Sequence, residues 1–70
     1  MEYIIIDEHP IFGKGYFIGF KNGYAHFQSC NDRFTKCYKT RAGAEKQLER
    51  IKNIGIADPR EKFYIAEKTT

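Results

Sequence analysis

Seventy residues leave room for a single domain spanning 1–70, with a core worth roughly 3–5 kcal/mol and too little interior to enclose a substrate. With 41% apolar and 30% charged residues the chain is expected to fold rather than stay disordered, and its longest apolar run, Tyr3 to Ile6, falls far short of the ~18–20 residues that span a bilayer. The net charge of +3 is too small to indicate nucleic acid by itself, but it is unevenly spread: residues 1–13 hold Glu2, Asp7 and Glu8 and no Lys or Arg, whereas residues 33–41 hold Arg33, Lys36, Lys39 and Arg41 and no acid.

Glu2 to Asp7 reads as a first strand, because its β-branched and aromatic residues suit a pleated surface. His9-Pro10 ends it, since proline lacks the ladder donor, and Gly13-Lys14-Gly15 is expected to be a flexible turn. Next, Tyr16–Lys21 and Tyr24–Ser29 flank Asn22-Gly23, the strongest two-residue hairpin signal, because both residues tolerate positive φ. Unbroken pairing from that turn sets Lys21 opposite Tyr24, Phe20 opposite Ala25, Gly19 opposite His26, Ile18 opposite Phe27, Phe17 opposite Gln28 and Tyr16 opposite Ser29. One face then carries Tyr16, Ile18, Phe20, Ala25 and Phe27 and reads as the core side. The other carries Phe17, Gly19, Lys21, Tyr24, His26 and Gln28 and reads as solvent-facing.

Asn31-Asp32 is a turn, and Phe34–Tyr38 is either a short strand or an extended arm, with Phe34 and Tyr38 as core or hinge residues. Thr40 is a good N-cap, because its hydroxyl can accept a bond from an orphan amide of the first helical turn. From about 41 to 54 the pattern is helical: Ala44, Leu48, Ile51 and Ile54 form the apolar side, and Glu45, Lys46, Glu49, Arg50 and Lys52 the wet one. Gly55 is the expected stop and Asp58-Pro59 a further turn. Lys62–Glu67 alternates as a last strand, Phe63 and Ile65 on one face, Tyr64 and Ala66 on the other. The economical assembly is α+β: an antiparallel sheet of three to five strands in the order β-β-β-(β)-α-β, with the helix on the Ile18/Phe20/Phe27 face and the other face open.

Tyr38-Lys39-Thr40, then Ala44-Glu45-Lys46, then Leu48 and Ile51, followed by a short closing strand, resemble short phage- and prophage-encoded proteins that join a β-meander to one helix and a last strand. The resemblance covers nearly the whole chain in layout and rests on few residues; Gly43 departs from the charged residue expected there. It implies an origin more than an activity. Such proteins often disable a host or defence machine by binding it, anti-CRISPR proteins being one class, and no functional residue is carried over from them.

Catalysis, metals and cofactors find no signature. Cys30 and Cys37 sit in no CxxC or Cys/His cluster, and as cytosolic thiols they are expected to stay reduced, a bridge across a short hairpin being the alternative. No base held by a third group is visible for either as a nucleophile. His9 reads as a turn residue and His26 as a solvated or partner-contacting one. Asp7, Glu8 and Asp32 read as scattered solvated acids, and Gly13-Lys14-Gly15 lacks the GK[ST] ending and following helix of a phosphate loop. The start of the chain lacks the basic residues and apolar stretch of a signal peptide, so a cytoplasmic location is expected, the host cytoplasm for a phage protein.

The expectation is therefore a non-enzymatic binding protein without cofactor or metal, docking on a host protein or nucleoprotein complex rather than on a membrane. Its contact residues would be Phe17, Lys21, Tyr24 and His26 on the open face, because exposed aromatics beside charges suit interface centres. A second reading gives it a basic edge of Arg33, Lys36, Lys39, Arg41, Lys46 and Arg50 for nucleic acid, with Phe34 and Tyr38 stacking on bases. A third makes it a structural protein that forms homodimers through its edge strands.

Overall fold

The computed structural model describes residues 2–54 and 60–68. Strands β1 (Glu2–His9), β2 (Gly13–Lys21) and β3 (Tyr24–Gln28) precede helix α1 (Arg41–Ile54) and strand β4 (Lys62–Lys68). They form one antiparallel sheet in the order β3-β2-β1-β4, the α+β arrangement expected. The Gly55 stop and the Asp58-Pro59 turn lie outside the described residues.

The turn between β2 and β3 is the one Asn22-Gly23 specifies: their φ values are 54° and 81°, both left-handed as a type I′ reversal requires. Pairing runs as expected through Lys21–Tyr24, Phe20–Ala25 and Gly19–His26, then shifts by one residue between Phe17 and Gly19, so that Phe17 faces Phe27 and Tyr16 faces Gln28. This β-bulge corrects the unbroken register. Because side chains alternate with period two, one inserted residue sends everything beyond it to the opposite face. Phe17, expected at the contact surface, is 1% exposed and belongs to the core; Ile18, expected in the core, is 36% exposed. Gly19 takes φ 137° at the bulge, a conformation side chains oppose. Gly19→Ala is expected to cost about 1–2 kcal/mol, read as a lower urea midpoint.

The first turn also differs from expectation. Gly13-Lys14-Gly15 is not a turn but the start of β2, with Lys14 opposite Glu8 and Gly15 opposite Asp7. The reversal is shorter, because the buried ring of His9 organises it: Nδ1 accepts the Ile11 amide at 3.0 Å and the Phe12 amide at 3.2 Å. Two amides at the reversal are thereby satisfied without ladder pairing, and β1 continues to His9.

Residues 32–35 form a turn closed by the Thr35 amide on the Asp32 carbonyl at 3.1 Å, and residues 36–38 make a short extended arm with a single bridge rather than a full strand. Tyr3 and Tyr38 exchange both backbone bonds at 2.8 Å, and the Lys36 amide donates to the Phe17 carbonyl at 2.8 Å. The arm then enters α1, where the Thr40 hydroxyl accepts the Gly43 amide at 3.1 Å, the N-cap read from the sequence. The helix buries Ala44 and Ile51, with Leu48 half-buried, against Ile5, Phe17, Phe27, Phe63 and Ile65. Ile54 is 41% exposed, a correction to the apolar side: it sits at the last helical position.

Candidate functional site

The sheet face opposite α1 is built by alternation. Ile5 packs under the helix with Phe17 and Ile51, so Ile4 and Ile6 point the other way. Register places Lys14, Glu8 and Lys62 in one cross-strand row and Tyr16, Ile6 and Tyr64 in the next. Ile4 and Ile6 are nonetheless buried, with half-buried Tyr16 and Tyr64 as the cross-strand neighbours of Ile6. This face therefore has an apolar centre with an alternating row of charge at one end, unlike the wet outer face an isolated antiparallel sheet usually shows.

On the β2–β3 half of the same face lie three of the four contact residues read from the sequence. Tyr24 is 67% exposed and Lys21 and His26 are exposed; His26 Nε2 lies 3.2 Å from the Lys21 carbonyl, which braces the ring across the hairpin. Phe17 is missing from the set, and Ile18 takes its place. Ile18, Gly19, Phe20, Lys21 and His26 line a shallow hollow of about 410 Å³. Sequence alternation missed Ile18; the available signal was Gly19, since a glycine inside a strand often marks a bulge.

The six basic-edge residues do not form one stripe. Arg41 and Arg50 are nine positions apart on α1, which at 3.6 residues per turn sets them about 180° apart. Arg41 Nε pairs with Glu45 Oε1 at 3.4 Å, and the Arg50 guanidinium lies 4.5 Å over the Phe20 ring. Lys46 is exposed on the helix, and Arg33, Lys36 and Lys39 are exposed along the arm and the loop before it. That loop is tightly knit. Asp32 Oδ1 accepts the Phe34 amide at 2.8 Å and Gln28 Nε2 at 2.6 Å, and Thr35 Oγ1 accepts the Asp32 amide at 3.1 Å. The Phe34 amide first, and then Gln28, hold the Asp32 carboxyl below its ordinary value. Phe34, read as core or hinge, is 61% exposed, with the Arg33 guanidinium 4.9 Å from its ring centre. Tyr38 packs against the core as expected.

Both cysteines are free thiols. Cys30 Sγ donates to Asp32 Oδ2 at 3.5 Å, and that bond to a carboxylate pushes its pKa up, the opposite of an activated nucleophile. Lys68 Nζ approaches Cys37 Sγ at 3.3 Å. Asp7 is not a solvated acid as expected. It lies on the helix side of the sheet, one carboxyl oxygen is buried without a hydrogen bond, and its pKa rises to about 6 through burial and the Glu61 charge, against the lowering effect of His9. Among the described residues no three His, Cys, Asp or Glu side chains are placed to hold a metal ion, and no helix is long and apolar enough to cross a membrane. No protein family, characterised protein or solved structure matches the chain.

Proposed function

We propose that this chain is a non-enzymatic binding protein that docks on a protein partner through the helix-free face of the β2–β3 hairpin. It would block or redirect a host complex in the manner of the small phage proteins whose layout it resembles. The observation that carries the reading is the bulge at Ile18. It turns an aliphatic side chain outward on the face that already bears Tyr24, Lys21 and His26, while the same shift sends the larger Phe17 into the core. An exposed aliphatic and a tyrosine beside a cation, around a shallow hollow, match the composition of interface centres.

The test is capture from host-cell lysate on immobilised protein, with and without nuclease. Native protein is expected to retain a stoichiometric protein partner that survives nuclease. Ile18→Ala combined with Tyr24→Ala should lose it while the variant still melts cooperatively as a folded domain, since a hot-spot contact is worth about 2 kcal/mol of binding. Retention by the double variant, or no stoichiometric partner at all, rules the reading out.

A further inference from the structure

We propose that the loop and arm from Arg33 to Lys39 form a second contact site, separate from the sheet face, that takes single-stranded nucleic acid with one base stacked on Phe34. The ring is held outward rather than left loose. Phe34 is 61% exposed, yet its own amide is fixed to Asp32, the next residue Thr35 is 4% exposed and bonded back to Asp32, and the amide of Lys36 is tied to the Phe17 carbonyl. A slack loop would fold such a ring onto the core, because burying it is favourable. This loop is pinned at 32, 34, 35 and 36 and keeps the ring in water.

Charge selects the occupant. Arg33, Lys36 and Lys39 recur every third residue, and Asp32 is the one acid between Gln28 and Arg41. Asp32 is already engaged: its carboxyl oxygens hold the Phe34 amide, Gln28 and Cys30. Arg33 lies over the Phe34 ring at 4.9 Å. An aromatic platform with a cation stacked on it and further cations following along an extended arm is what a single strand requires: its bases stack on rings without regard to sequence and its phosphates track a line of positive charge. Duplex DNA offers the phosphates but keeps its bases stacked inside. An acidic peptide offers the charge but not the planar partner for the ring.

The experiment is fluorescence anisotropy of labelled oligothymidylate, about twelve nucleotides long, against native protein and variants over a salt series. Native protein is expected to bind at low salt with a log–log slope near −2, about 0.7 for each of three phosphates. Phe34→Ala should weaken binding about tenfold at any one salt concentration and leave the slope unchanged. Lys36→Gln should reduce the slope by about 0.7. Tyr24→Ala should leave oligonucleotide binding as it is, and Phe34→Ala should leave nuclease-resistant capture of a protein partner as it is, so failure of this site and failure of the sheet face are read separately. Absence of binding at low salt, an unchanged affinity in Phe34→Ala, or tighter binding of a labelled oligoglutamate than of the oligothymidylate overturns the proposal. The last result would assign the loop to an acidic protein segment.

Discussion

Replacing Phe17 with alanine is expected to leave the chain largely unfolded at room temperature. Truncating a buried phenylalanine removes about 3–5 kcal/mol, as much as a domain of this size derives from its core. Phe17 is 1% exposed, with Phe20 at 5.1 Å and Phe27 at 5.5 Å between ring centres, and Ile5 and Ile51 share its cluster. Its neighbour is the control. Ile18→Ala, at a partly exposed position on the other face, should change stability by less than about 0.5–1 kcal/mol. Urea titration followed by circular dichroism measures both. If Ile18→Ala proved the more damaging, the bulge would be misplaced and the contact surface would revert to Phe17.

Replacing Asp7 with asparagine is expected to stabilise the protein at neutral pH and to flatten its stability against pH. The folded carboxyl titrates at about 6, against an ordinary value of 3.8, so between those values the folded chain holds a proton that the unfolded chain has released. Stability from the neutral form is complete below about 4 and is lost as pH rises through about 6. Two units correspond to nearly 3 kcal/mol; Asp7 keeps partial contact with solvent, and screening brings the expected gain in Asp7→Asn at pH 7 to roughly 1–2 kcal/mol. Near pH 4 the variant should lose that advantage, both side chains then being neutral. Urea midpoints from pH 4 to 8 decide it, and an unchanged pH slope in the variant would show that Asp7 is not the titrating group. Glu61 contributes to the shift, so Glu61→Gln should move the native transition to lower pH.

The parts of the fold readable in advance are those that local chemistry controls. Asn22-Gly23 specifies its own turn, Thr40 accepts the Gly43 amide, and the apolar spacing of Ala44, Leu48 and Ile51 marks the buried side of α1. Where one residue of register decides the answer, alternation points to the wrong face: it sets Tyr16, Phe17 and Ile18 each on the side opposite to the one they occupy. The first turn lies earlier than Gly13-Lys14-Gly15 because the His9 ring accepts the Ile11 and Phe12 amides there, and Gly13 closes it at φ 83°. Phe34 reads from the sequence as core or hinge, or as a base-stacking ring, and the hydrogen bonds of Asp32 and Thr35 around it, which no hydropathy pattern records, leave it 61% exposed.

By itself the sequence determined the strand and helix order, the tight hairpin and the helix start, because each depends on φ preferences, capping groups and periodicity within a few residues. Only the tertiary structure decided which aromatic is interior, how the arm closes on β1 and β2, that Asp7 is partly buried within reach of the Glu61 charge, and that Arg50 lies over the Phe20 ring. Those outcomes depend on pairing between segments distant in the chain, where a single inserted residue reverses every side chain beyond it.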